Sequence, residues 1–334
     1  MTTRRTLEKE RTETETENGT ALPDGASRSM THAEGANGFD PAARLSVAKA
    51  YKMFVGGAFV RSESGRYFQV RGEADGNADP DVVNVPRGSR KDARDAVLAA
   101  KGAADSWAAR TAFNRGQILY RLAEVMESRR EELQTALERG GVSGAEASRE
   151  VATAIDRAVY YAGFCDKFQA LVATSNPVAG PHFGFSVPEP MGVVAVVAPQ
   201  RPALLGLVST VLPVLAGANT CVVVAGTDDP RTAVVWCECL ATSDLPGGVV
   251  NVLTGQASEI APHLAKHREV FAMDVWSADA DLRAAVEREG SGNVKRVRTH
   301  DESDAAKLTG ETGQGLGFIE RFLETKTVWH PVGV

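Results

Sequence analysis

Apolar and polar residues follow different rhythms along this chain, and the changes of rhythm mark its elements. Residues 1–48 have no apolar period; they are rich in Thr, Glu, Gly, Ser and Asp. Such a stretch cannot bury enough surface to offset its ordering entropy, so it is expected to be a disordered tail. From Tyr51 the run KMFVGGAFVRSESGRYFQV alternates with period two around Gly56-Gly57 and again around Ser64-Gly65, which predicts two tight hairpin-like turns.

A helical rhythm follows. Ser89 and Asp92 have the spacing of a capping box, and Ala93, Val97, Ala100, Ala104 and Trp107 then fall on one face. A second stripe carries Ile118, Leu119, Leu122, Val125, Met126, Leu133 and Leu137 and stops at Gly140-Gly141, a helix-ending pair. A third places Val151, Ile155, Val159, Ala162 and Cys165 together. All three read as packing surfaces in an N-terminal helical layer. In HFGFSVPEP, Phe183, Phe185 and Val187 alternate with small residues, which predicts a half-buried strand with an apolar face.

From Val193 onward short apolar runs alternate with helical ones. Strands are expected at 193–198, 219–225, 249–253, 270–275 and 294–298, and helices at 203–217, 231–242, 257–266 and 279–289. β-Branched runs separated by helices make a parallel sheet covered on both faces. With right-handed crossovers this is an α/β, Rossmann-like doubly wound fold. Residues 301–317 are polar and Gly-rich and read as a linker; 318–334 read as a short helix and a strand, TKTVWH, that needs a pairing partner.

Composition narrows the function classes. A net charge of −6 gives no reason to expect nucleic-acid binding. The longest apolar helical run, Ala203 to Gly217, is too short for a bilayer, so no membrane role is expected. The opening residues have no apolar core behind their arginines and do not form a secretory signal. Cys165, Cys221, Cys237 and Cys239 make neither a disulfide framework nor a zinc pattern, and read as free thiols in a reducing, cytoplasmic setting. The six histidines are scattered, so no metal site is expected.

No G-x-G-x-x-G follows the first strand of the sheet, and G-x-x-x-x-G-K is absent. Three other stretches are informative: EPMGVVAVVAP, LPVLAGANTCVVV and DLPGGVVNVLTG resemble cofactor-domain landmarks of the aldehyde dehydrogenase superfamily. FVGGAF and KTVW resemble that family's first hairpin and its oligomerisation strand. The resemblance covers about residues 50 to 300 plus the last fifteen. It implies a cofactor-domain scaffold over 49–300, a small β oligomerisation arm with a hairpin at about 182–192, and NAD(P)-dependent oxidation of an aldehyde. That chemistry uses a cysteine nucleophile, an asparagine that stabilises the oxyanion, and a glutamate base.

The resemblance also shows where the chain departs. Arg201 stands at the asparagine position, followed by Pro202. Val224 and Thr227 stand where a lysine and a glutamate hold the adenosine ribose. Hydrogen bonds to charged groups contribute about 1.5–3 kcal/mol each, so NAD(P) binding is expected to be weak or absent. Val275-Trp276-Ser277-Ala278 replaces a turn that wants little bulk, and His300 falls near the general base, where it reads as a loop residue. None of the four cysteines stands at the nucleophile position, and a catalytic domain is missing after His300. No catalytic residue is therefore assigned; Ala198, Pro199 and Gly255 remain as vestigial cofactor contacts.

These departures imply a catalytically silent paralogue that joins a full-length aldehyde dehydrogenase subunit as a hetero-oligomer. The alternatives are a residual NAD(P)-dependent aldehyde oxidoreductase or weak dinucleotide binder, and a gene relic.

Overall fold

The computed structural model describes residues 49–72 and 82–333, so the expected tail over 1–48 lies outside the described residues. Lys49–Val334 forms one compact unit.

The chain enters through β1 (Met53–Val55) and β2 (Ala58–Val60), an antiparallel hairpin. Its turn is Gly56-Gly57, with φ of 64° and 83°; a Cβ on Gly57 would lie 2.8 Å from Gly247 Cα, so a bare backbone is needed. The second expected hairpin does not form, because β3 (Tyr67–Arg71) pairs with β4 (Val82–Pro86) instead of β2. The turn at Gly65 (φ 65°) reverses the chain but leads to a partner further along.

Four long helices follow: α1 (Arg90–Ala108), α2 (Ala112–Ser128), α3 (Arg130–Arg139) and α4 (Gly144–Phe164). The Ser89/Asp92 capping box is present in both directions. The second predicted stripe is intact, but Arg129 divides it between α2 and α3. Two predicted positions shift: Ala103 rather than Ala104 is buried on α1, and Val159 on α4 is exposed while Ala158 is buried.

The short α5 (Phe168–Val172) leads to β5 (Thr174–Asn176) and β6 (His182–Pro190). Next come β7 (Val193–Val197), α6 (Ala203–Ala216), β8 (Thr220–Val224), α7 (Arg231–Ala241) and β9 (Val250–Leu253). They are followed by α8 (Ala257–Lys266), β10 (Val270–Trp276), α9 (Ala280–Gly290) and β11 (Arg296–His300). The chain closes with α10 (Leu316–Glu320) and β12 (Leu323–Pro331).

The main sheet has seven strands in the order β11-β10-β7-β8-β9-β1-β2; its first five are parallel and the hairpin adds antiparallel at β9. Alternate residues feed two cores. Val194, Val196, Cys221, Val223 and Val252 face one core with α6, α7, α2 and α4. Val193, Ala195, Val197, Val222 and Val224 face the other with α1 and α8. This is the doubly wound architecture that strand–helix alternation predicts.

The stretch 182–192 is one long strand rather than a hairpin; β6 lies between β5 and β12 in a separate three-stranded sheet. Its more buried face is also the reverse of the expected one. Gly184, Ser186 and Pro188 are buried, whereas Phe183 is 50% exposed. Val178 packs close to Gly184, and Ser186 accepts from Asn176 Nδ2 at 2.8 Å and contacts Thr327 Oγ1 at 2.8 Å. Alternation distinguishes two faces without saying which is covered.

The expected open linker over 301–317 is folded. It forms 3-10 turns over Glu302–Thr309 and Glu311–Gly313 and then enters α10, with Ala305, Leu308 and Gly313 buried. Arg157 on α4 pins it from beneath, donating to Leu308 O at 3.1 Å, to Gly310 O at 3.4 Å and to Gly313 O. Ala305 and Leu308, three apart, supply the small apolar face that holds these turns down.

Candidate functional site

In an open parallel sheet the natural ligand crevice lies outside the carboxyl ends of the strands, where the strand order reverses. Here that point falls between β7 and β10. Ala198 and Pro199 sit there, and both are buried. The Ala198 N–H donates to Val224 O at 3.0 Å, so the end of β7 remains in the sheet. The Pro199 ring packs on Gly206 of α6, where a Cβ would lie 2.5 Å from Pro199 Cγ. Around Ala198, Pro199, Gln200, Leu207, Gly226 and Asp229 the free volume is only about 10 Å³. That is about the room of a single water.

Gly255 lies at the end of β9, two strands from β7, and faces protein rather than an open crevice. Its carbonyl accepts from Thr227 Oγ1 at 3.0 Å, and a Cβ there would lie 2.8 Å from Gly88 N. The structure therefore brings Ala198 and Pro199 together and leaves Gly255 at a separate point on the same sheet end. Val224 is fully buried in β8 and offers nothing polar to a ligand.

The turn after β7 is capped by a residue that sequence reasoning missed. Glu302 Oε1 accepts from Gln200 N at 2.6 Å and Arg201 N at 3.2 Å. These are backbone donors of the type an oxyanion would need, and a carboxylate already holds them. Arg201 itself turns outward and donates to Gly140 O. Glu150 caps α6 in the same way, accepting from Leu204 N at 2.7 Å and Leu205 N at 3.0 Å. Burial pushes both carboxyls above the ordinary carboxylate range, opposed by the backbone N–H groups they accept from. Beside them opens a cavity of about 700 Å³ bordered by Val142, Arg149, Thr153, Pro202, Leu205 and Ser303. The pair of apolar positions in the supposed linker was the one sequence signal that could have placed Glu302 in a folded segment.

The β10 side of the crevice is occupied by an indole. Trp276 is 4% exposed and packs with Ala305, Leu308 and Phe318, so the folded 302–313 segment lies over it. Its Nε1 donates to Asp274 Oδ2 at 2.9 Å, and Asp274 Oδ1 lies 3.0 Å from His300 Nε2. The imidazole stacks on the indole with centroids 4.1 Å apart. His300 is therefore the last residue of strand β11 and part of a packed end-cap, not the loop residue expected from sequence, because it pairs with Trp276 across the sheet.

Helix N-termini at this end could attract anions. At α9 the donors are already used: Asp279 accepts from Asp281 N at 2.9 Å and Leu282 N at 3.1 Å, and Asp281 adds a second acid in the first turn. A phosphate approaching α9 would meet carboxylates.

All four cysteines are buried and free. Burial pushes the Cys165 and Cys239 thiols up to about 12, and raises Cys221 and Cys237 well above the ordinary thiol value. At neutral pH these groups are thiols, and a thiol is a poor nucleophile. Among the described residues no group of His, Cys, Asp and Glu side chains could hold a metal ion, and no helix is long and apolar enough to cross a membrane.

Known proteins share this framework. The model of the aldehyde dehydrogenase family matches residues 59–299. Cytosolic 10-formyltetrahydrofolate dehydrogenase of Mus musculus is 33% identical over 76% of this chain, and the match spans 28% of that protein. Hydroxyisobutyraldehyde dehydrogenase of Mycolicibacterium austroafricanum is 31% identical over 73% of this chain and 47% of its own length. Among solved structures, PnpE from Pseudomonas sp. WBC-3 superposes with a TM-score of 0.70 at 26% identity, covering 75% of this chain and 50% of that one. The chain thus matches at most about half of the length of these relatives. A family model that covers most of the folded unit, together with the doubly wound sheet and its separate three-stranded arm, leads to one conclusion: this chain belongs to the aldehyde dehydrogenase family.

Proposed function

We propose that this chain is a catalytically silent member of its family that associates with a full-length aldehyde dehydrogenase through the β5-β6-β12 arm. The observation that carries the proposal is the arm itself. It stands on a single strand order, β12-β6-β5, with β12 at an open edge and most of its side chains exposed, including Trp329 at 62%. An exposed edge strand is a template for β-augmentation, and leaving it open costs solubility and stability. Its root is held firmly. Asn219 accepts from Gly192 N and donates to Phe322 O, both at 2.9 Å, and Arg296 donates to Arg321 O and Leu323 O.

Silence is supported by the other end of the molecule. The chain passes from His300 to Leu323 through 3-10 turns and one short helix, so no further domain intervenes there. The four thiols are sealed in core, and at the end of β10 Trp276 is covered by Ala305 and Leu308 of the 302–313 segment.

The test is reconstitution. Purified chain mixed with a full-length family member from the same cell should co-elute as a larger species by light scattering, and removing residues 324–334 should abolish the complex. A chain that stays monomeric and ignores such a partner ends the proposal. The second reading, a residual NAD(P)-dependent oxidoreductase or weak dinucleotide binder, rests on the family membership alone. It requires heat or a thermal shift on titration with NAD or NADP, and neither is expected.

A further inference from the structure

On the outer surface a groove of about 440 Å³ runs between α1 and α8, and it shares no lining residue with the small void around Ala198 and Pro199. Its walls are Arg90, Arg94, His263, Lys266 and His267, separated only by Ala93 and Leu264. No acid lines it, although the chain as a whole carries a net charge of −6. Arg94 shares its charge with Asp95 at 2.8 Å and Lys266 with Glu289 at 3.3 Å, whereas Arg90 makes no ion pair with a described residue.

Arg90 is also misplaced for stability. It is the first residue of α1, where the helix field favours acids and disfavours cations. A residue that opposes its local helix without a compensating contact is a candidate for function.

Burial comes first for both histidines of the groove, and only His263 also feels two of its cations. Burial, Arg90 and Lys266 hold His263 below its ordinary value. Burial, Lys295 and Lys101 do the same to His267, against the opposing charge of Glu269. Both imidazoles therefore hold a proton less readily than a free histidine, and an anion that neutralises neighbouring cations favours proton uptake.

We propose that this groove binds a small soluble phosphorylated molecule carrying at least two negative charges. Arg90 and Arg94 offer forked donors to phosphate oxygens, Lys266 adds a point charge, and His263 becomes a further donor on protonation. The volume lies in the range of small-ligand sites.

Inorganic pyrophosphate is the probe, titrated by calorimetry into the whole chain at low salt. Binding is expected, stronger at about pH 6 than at about pH 7.5, with proton uptake. The Arg90→Ala, Arg94→Ala double variant should bind at least about tenfold more weakly. Arg90→Ala relieves an unfavourable helix charge, so it should fold; the single variant is measured beside the double one to guard against misfolding. Proton NMR should show the His263 titration midpoint rising when pyrophosphate is present. Absence of heat overturns the proposal, as does unchanged affinity in both variants or a His263 midpoint that pyrophosphate does not move. Sedimentation with vesicles containing phosphatidylinositol phosphate separates the sources: capture by vesicles without pyrophosphate binding also overturns it.

Discussion

The β7-α6-β8 unit and the β5-β6-β12 arm are both built from apolar and β-branched residues, yet they use them in opposite ways. In the first, every residue of both strands is buried, and α6 is buried from Leu204 to Ala216. In the second, Phe183, Trp329 and most of β12 meet solvent. The difference teaches that apolar pattern alone measures neither stability nor purpose. A continuous apolar run specifies a core strand, whereas an alternating run in a thin sheet specifies a surface available to another molecule.

Substitutions should break the two regions unequally. Leu212→Ala in α6 removes a fully buried side chain and should cost about 2–5 kcal/mol in chemical denaturation. Arg157→Met comes next. It leaves the carbonyls of Leu308 and Gly310 without their buried donor, at about 1–3 kcal/mol for each unmatched group, and hydrogen exchange should speed up over 302–313. Asp279→Ala removes the cap of α9 and should cost about 1 kcal/mol. Phe183→Ser in the arm should fall within about 0.5 kcal/mol of wild type while weakening association.

The capping carboxylates sharpen the contrast through pH. The folded-state values of Glu150 and Glu302 lie above the ordinary 4.5, so the folded chain holds protons there that the unfolded chain has released. Between 4.5 and those raised values their contribution to stability falls as pH rises; below 4.5 both states are protonated and the slope vanishes. Glu302→Gln keeps an acceptor for the Gln200 and Arg201 N–H groups and should flatten part of this slope in urea titrations at stepped pH. An unchanged slope would show that Glu302 does not titrate in this window.

Much of the scaffold was legible in sequence because it is written in periods. The parallel strands and their helices fall within two residues of expectation, and the Ser89/Asp92 cap forms as its spacing predicts. What could not be read depends on long-range packing. Nothing local says that β3 pairs with β4, or that the small-residue face of β6 is the more buried one. The segment 301–317 looked like a linker because its apolar content is small, yet a buried arginine from α4 holds three of its carbonyls. At the candidate site, the loss of polar contacts at Val224 and the bulk of Trp276 were visible, but Glu302 and Glu150 as caps were not. Their partners are backbone N–H groups 102 and 54 residues away, and backbone donors leave no mark in a sequence.

The family framework is established; that it holds no working reaction centre is the proposal to test. Turnover of a panel of aldehydes by the purified chain, with NAD and with NADP, tests it most directly. The account predicts no rate above the protein-free blank. A steady rate that disappears when one of Cys165, Cys221, Cys237 or Cys239 is changed to serine would contradict it.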